Sequence, residues 1–148
     1  MLESTQTRAT IFVAEDNPIL LQGLDRALSA NGYQVATAAS GEAVLELIEE
    51  AESPPDLLLL DVMMPGISGF DVLRTLQAHP RARRLPVVMI TAATDDSVHA
   101  AAVEGGAADL LIKPFRLGEL LDRIETHVTR ARQRETSELV HASSQENV

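Results

Sequence analysis

Short apolar runs alternate with longer stretches of helical period along this chain, a pattern that predicts a parallel sheet with helices packed on both faces. The first strand is Thr10 to Ala14, ended by Glu15 and Asp16. Asn17-Pro18 then opens a helix, since Asn caps free amides and Pro fits where no amide bond is lost. Leu20, Leu21, Leu24, Ala27 and Leu28 form its apolar stripe, and Asn31-Gly32 ends it. Tyr33 to Thr37 predicts the second strand, and Gly41 to Glu52 the second helix, with Ala43, Val44, Leu47 and Ile48 inward.

Ser53-Pro54-Pro55 breaks the pattern, and Asp56 to Asp61 follows as the third strand. Its unbroken leucines suit a central strand buried on both faces. After a loop from Met64 to Gly69, Phe70, Leu73 and Leu76 line a third helix, and His79 to Arg84 is a polar, basic connection. Pro86 to Ile90 is the fourth strand, ending at Thr91, and a weakly apolar, Ala-rich fourth helix spans Asp95 to Glu104 before Gly105-Gly106. Asp109 to Ile112 is the fifth strand, followed by Lys113-Pro114. Leu117, Leu120, Leu121, Ile124 and Val128 mark a last helix to about Arg134. The organisation expected is an N-terminal extension (1–8), one α/β domain (9–134) and a polar C-terminal tail or truncated linker (135–148).

Composition narrows the partners. A formal net charge of −10 over 148 residues argues against direct binding of nucleic acid, which needs clustered Lys and Arg. Cysteine is absent, which excludes disulfides and thiolate metal sites and fits a reducing compartment. No apolar run reaches membrane-spanning length, and Met1 to Arg8 has no signal-like apolar segment. The expectation is a cytoplasmic protein with no membrane partner.

In a parallel sheet all strands end on one edge, where ligands bind. That edge collects Glu15 and Asp16 from the first strand, Asp61 from the third, Thr91 from the fourth and Lys113 from the fifth. Converging carboxylates repel one another in a partly desolvated cleft, and Lys113 alone does not offset three of them. All-oxygen donors without histidine suit Mg²⁺, with Mn²⁺ as the alternative. An Asp carboxylate is also a nucleophile toward phosphorus once the charge on the transferring group is neutralised. Lys113 and the Thr91 hydroxyl are placed to contact a phosphoryl group.

The ordered set Glu15-Asp16, Asp61, Thr91 and Lys113-Pro114, with Asp61-Val62-Met63-Met64-Pro65-Gly66 and Gly69, resembles the response-regulator receiver family of two-component signalling. The resemblance covers roughly Ala9 to Arg134. It implies a doubly wound, flavodoxin-like sheet of order 2-1-3-4-5, with Asp61 as the acceptor of a phosphoryl group from a histidine kinase or histidine phosphotransfer protein. It further implies that Asp16, Asp61 and the backbone carbonyl of Met63 bind Mg²⁺, with Glu15 acting directly or through water. Thr91 and Lys113 are implied as phosphoryl contacts, and the Lys113–Pro114 bond as cis, an isomer accessible because proline follows. A switch through Thr91, Leu110 and Pro114, self-dephosphorylation without turnover, a downstream protein or C-terminal output domain, and a homodimer through the fourth helix, fifth strand and last helix complete what the family suggests. Leu110 departs from the pattern: many receivers carry Tyr or Phe there.

Each residue alone has a plainer explanation. Strand-end acids stabilise helix N-termini, Thr91 serves as a cap, Lys113 as a solvated charge, and Pro65-Gly66 and Gly69 as turn residues. Met63 and Met64 are expected to pack against the loop. His79, His99, His127 and His141 lack visible carboxylate partners and are expected at the surface, as is the arginine face of Arg123, Arg130, Arg132 and Arg134. A Mg²⁺-dependent aspartyl-phosphate phosphohydrolase is the competing enzyme reading, but Met63 stands where such enzymes place a second, proton-donating Asp. A flavin module would need a phosphate-friendly first loop, which Glu15-Asp16 is not. A scaffold that is never phosphorylated has no use for Asp61, Thr91 and Lys113 together.

Overall fold

The structure is a computed structural model, describing residues 8–146, with side chains described to residue 140. The expected extension therefore lies outside the described residues, apart from Arg8. Ten elements alternate: β1 (Thr10–Ala14), α1 (Pro18–Ala30), β2 (Gln34–Ala38), α2 (Gly41–Glu50), β3 (Leu57–Asp61), α3 (Gly69–Ala78), β4 (Val87–Thr91), α4 (Asp96–Glu104), β5 (Asp109–Ile112) and α5 (Leu117–Glu146). All strand pairings are parallel, in the order β2-β1-β3-β4-β5. The flavodoxin-like order implied by the resemblance is the one observed.

Side-chain alternation in the central strands builds two cores. Phe12, Ala14, Leu58, Leu60, Val87 and Met89 face one layer, where Val44, Ile48, Val72, Leu73, Leu76 and Ala102 of α2, α3 and α4 cover them. Ile11, Val13, Leu57, Leu59, Val88 and Ile90 face the other, under Leu24, Leu28, Leu120, Ile124 and Val128 of α1 and α5. Leu57 to Leu60 are wholly buried, and each contributes about 1.5–3 kcal/mol by burial. A strand apolar at every position is therefore satisfied only in the middle of a doubly covered sheet.

Local chemistry sets the helix starts. Asn17 Oδ1 accepts from the amides of Ile19 and Leu20, and Pro18 occupies the first turn. Ser40 and Asp95 cap α2 and α4. Ser68 and Asp71 form a reciprocal capping box at α3. That box fixes where the loop after β3 stops.

The ends of elements differ most from expectation. The second and fourth strands sit one residue later than predicted, at Gln34–Ala38 and Val87–Thr91. The larger difference is α5, which does not end near Arg134 but continues to Glu146. Glu135 to Ser144 contains no Gly or Pro, so nothing local stops a helix whose first turns are anchored by Leu120, Ile124 and Val128. The loss of apolar period after Arg134 marks where burial ends, not where the helix ends.

Candidate active site

Register brings the polar strand ends together. Ala14 pairs with Leu60, so Glu15 follows beside Asp61. Asp61 pairs with Ile90, which sets Thr91 one step further, and Thr91 pairs with Ile112, which sets Lys113 next. Backbone bonds continue past the strands, from Val62 N to Ile90 O at 2.9 Å and from Lys113 N to Thr91 O at 2.7 Å. Neighbouring strand ends thus carry functional groups from four separate parts of the sequence.

Glu15 is wholly buried and Asp61 is 3% exposed. Glu15 Oε2 accepts from the Asn17 amide at 3.0 Å, and Asp61 Oδ1 accepts from the Met63 amide at 3.0 Å. Their other oxygens share one cation: Lys113 Nζ donates to Glu15 Oε1 at 2.8 Å and to Asp61 Oδ2 at 3.1 Å. Burial alone would lower the Lys113 pKa, but the bonds to Glu15 and Asp61 outweigh it and hold the amine above its ordinary value. Lys113 is therefore charged.

Asp16 is exposed at the rim, yet one oxygen each from Glu15, Asp16 and Asp61 lie within 4.8 Å of one another. Three negative carboxylates facing one ammonium leave an excess of charge, and hard oxygen donors in that number fit Mg²⁺. Thr91 is wholly buried, and its Oγ1 accepts from the Ala93 amide at 3.0 Å. Leu110 sits on β5 opposite Met89 and packs, half-buried, against the α2-α3-α4 side of the core. The Lys113–Pro114 bond is cis, as expected.

The loop after Asp61 is held close. The Gly69 amide donates to Val62 O at 2.9 Å, and a Cβ on Gly69 would lie 2.4 Å from the Asp61 carbonyl oxygen. Gly66 has φ of +81°, a left-handed turn position that favours glycine. Met64 is buried as expected, but Met63 is 67% exposed. Its amide orients Asp61, and its side chain is turned to solvent.

Several charged residues depart from expectation. His127 is not a surface residue: it is 8% exposed, and its Nε2 lies 2.8 Å from Asp109 Oδ2. Arg123, one helical turn earlier, clamps the same carboxylate at 2.7 and 2.8 Å. Burial would raise the Asp109 pKa, but the bonds from Arg123, His127 and the Leu110 amide overcome it and hold the carboxyl below its usual range. The signal available in the sequence was the spacing of Arg123 and His127, four apart on one helix face. His79 also has a carboxylate partner, Glu49 Oε2 at 3.0 Å. Arg132 donates to the Arg8 carbonyl at 3.1 Å. His99 is exposed as expected, and the side chain of His141 lies outside the described residues.

Known proteins resemble this chain in sequence and fold. The transcriptional regulatory protein AfsQ1 of Streptomyces coelicolor is 39% identical over 129 residues, covering 87% of this chain and 55% of that protein. The chain spans about half the length of the curated relatives it matches. A response regulator receiver domain protein from Clostridium thermocellum superposes with a TM-score of 0.79 at 28% identity, covering 85% of this chain and 98% of that one. The receiver domain of a sensor histidine kinase from Pseudomonas aeruginosa, with a magnesium ion coordinated in its active site cleft, gives 0.75 at 26% identity, covering 82% and 98%. The family model for the response regulator receiver domain matches residues 11–125, from β1 into the first turns of α5, a span that includes Glu15, Asp16, Asp61 and Lys113. The chain belongs to the response regulator receiver domain family.

Proposed function

We propose that this domain is a phosphorylation-dependent signalling switch in which Asp61 accepts a phosphoryl group from a phosphohistidine of a histidine kinase or phosphotransfer protein. The observation that carries the reading is the pairing of a buried Asp61 with Lys113, inside a cluster of three carboxylates drawn from two strand ends. Asp61 Oδ2 is the oxygen that meets Lys113, while Oδ1 is fixed by the Met63 amide. A carboxylate oxygen attacks phosphorus, the phosphorus–nitrogen bond breaks, and its electron pair leaves with the imidazole of the donor. Asp16, Asp61 and the Met63 carbonyl would hold Mg²⁺, with Glu15 alongside, as would Mn²⁺ in its place. The ion supplies neutralisation of the charge that develops on the phosphoryl oxygens.

Lys113 donates to one phosphoryl oxygen, and the Thr91 hydroxyl donates its hydrogen to another. The Thr91 oxygen also accepts from the Ala93 amide, so movement of the hydroxyl toward the phosphoryl group carries to the start of the β4–α4 loop. Lys113 draws the cis Pro114 segment with it, and Leu110, lacking a ring or hydroxyl, reports the change only through packing. The output is a changed surface at α4, β5 and α5, offered to a downstream protein, to an output domain or to a second copy of the chain. Residues 135–146 continue α5 and act as a linker helix.

Incubation with acetyl phosphate and MgCl₂ tests the reading. One phosphoryl group adds to the wild-type chain, hydroxylamine removes it, and Asp61→Asn prevents it. Absence of the adduct in the wild type would sink the proposal, and sustained turnover of a phosphate ester would make the chain a hydrolase instead.

A further inference from the structure

The chain is acidic overall, with 22 Asp and Glu against 12 Lys and Arg. Half of the basic residues nevertheless fall in two short segments: Arg81, Arg83 and Arg84 before β4, and Arg130, Arg132 and Arg134 on α5. The fold brings the two segments together. Arg83, Arg84, Arg130, Arg134, His127 and Gln77 line one groove of about 390 Å³, walled by the α3–β4 connection, the turn at Gly106 and the face of α5. No carboxylate lines it.

The groove stands at the start of β4 and β5, the sheet edge opposite Asp61. Pro86 in its lining lies five positions before Thr91, roughly 16 Å along the strand. Arg83, Arg130 and Arg134 make no ion pair among the described residues, and Arg84 is engaged only by Glu138. His127 is held from behind by Asp109 through Nε2, while its other ring nitrogen makes no hydrogen bond among the described residues. Three guanidinium forks without an ion-pair partner among the described residues, on one concavity, match phosphate oxygens. The volume suits a small ligand, within the range of small-molecule pockets.

We propose that this groove binds a small ligand carrying adjacent phosphate groups, either inorganic pyrophosphate or the diphosphate of a nucleotide. Arg83, Arg130 and Arg134 supply the charge, and the Gln77 amide supplies a directional donor at the side. Binding here is independent of phosphorylation at Asp61.

Calorimetric titration of the full chain in EDTA, at fixed ionic strength, separates the outcomes. Pyrophosphate and ADP are expected to bind saturably at one site, and adenosine not at all. Equal affinity for the two phosphate probes makes the diphosphate the whole ligand, whereas tighter ADP binding adds a nucleoside contact. Arg130→Gln combined with Arg134→Gln weakens both by at least about tenfold, the loss expected when one charge-assisted contact of about 1.4 kcal/mol disappears. Arg74→Gln, at a surface arginine elsewhere, leaves binding unchanged. Failure of both phosphate probes to bind, adenosine binding as tightly as ADP, or titrations unaltered by the double substitution would overturn the proposal. Capture of duplex DNA through the same arginines without any pyrophosphate binding would overturn it in favour of a nucleic-acid contact.

Discussion

Lys113 Nζ lies 3.1 Å from Asp61 Oδ2, across 52 residues of sequence and just past β5, a strand that does not pair with β3. The amine crosses the end of β4 to reach it and meets Glu15 with the same nitrogen. The carboxylates that would hold a divalent cation are therefore the ones the lysine now occupies. Under the proposed function the metal-free chain depends on the lysine, and the phosphorylated chain needs it elsewhere.

Removal of that lysine has two opposed effects. Lys113→Ala leaves the buried Glu15 and Asp61 without their shared cation, and should cost the metal-free chain about 1–3 kcal/mol. The same change removes a competitor for the carboxylates, so Mg²⁺ should bind at least as tightly as in the wild type. Denaturant unfolding in EDTA and in MgCl₂ measures both. Loss of Mg²⁺ binding in this variant would show that the lysine supports the metal site instead of competing with it.

Asp16 gives the opposite sign. It makes no hydrogen bond among the described residues and adds a third negative charge within 4.8 Å of two others. Two like charges about 5 Å apart repel by roughly 1 kcal/mol even at the dielectric of water. Asp16→Asn should raise metal-free stability by about that amount and abolish the further stabilisation that Mg²⁺ gives the wild type. Thermal unfolding with and without Mg²⁺ checks the pair of effects, and an undiminished Mg²⁺ response would exclude Asp16 as a ligand.

Gly69 is set by space and not by a turn. A Cβ there would meet the Asp61 carbonyl at 2.4 Å and the Val62 Cα at 2.9 Å, both backbone atoms with nowhere to go. Gly69→Ala should destabilise the chain by about 2–3 kcal/mol, in the range of overpacked interiors, and slow acetyl phosphate labelling by displacing Asp61. Unfolding and labelling rates measured together decide it. A stable variant with normal labelling would mean that the loop relaxes freely.

The sequence exposed the architecture through a specific property: central strands with apolar residues on both faces read as unbroken runs, as in Leu57–Leu60, and such strands need helices on both sides. The cluster was legible because parallel strands all end on one edge, so Glu15, Asp61, Thr91 and Lys113 required only correct strand ends. What stayed hidden depends on contacts between distant segments. His127 looks like any polar helix residue until Asp109 arrives beneath it from β5, and the arginines of 81–84 and 130–134 look solvated until the fold sets them around one groove. The end of α5 was hidden for another reason. Apolar period reports burial, and this helix outruns the core it packs on.

The Asp109 cluster carries a pH signature. Its carboxyl is held below the usual range in the folded chain, so it binds protons less readily there than in the unfolded chain. Its contribution is therefore complete above the ordinary carboxylate pKa and is lost as pH falls below about 4 toward the folded-state value. Asp109→Asn should cost about 1–2 kcal/mol near neutral pH, with the gap from wild type closing on acidification. Urea unfolding from pH 7 to pH 2.5 traces it. A constant gap across that range would assign the loss to packing and not to charge.

α4 is the helix with least to hold it. Ala102 is its only buried residue, whereas α3 buries Gly69, Val72, Leu73 and Leu76. Val103 is 64% exposed, and the half-buried Val98 is the largest apolar side chain that α4 gives to the core. Opening α4 thus exposes little apolar surface, and its amides should exchange through local openings well below the global unfolding free energy. α5 residues 120–128, anchored by Leu120, Ile124 and Val128, should exchange far more slowly. Phosphorylation that recruits the Thr91 hydroxyl shifts the oxygen to which the Ala93 amide donates, just before α4, so exchange in α4 should change on acetyl phosphate treatment while that in α1 does not. Native-state hydrogen exchange on both forms measures this, and equal protection of α4 and α5 in the unphosphorylated chain would remove α4 as the movable element.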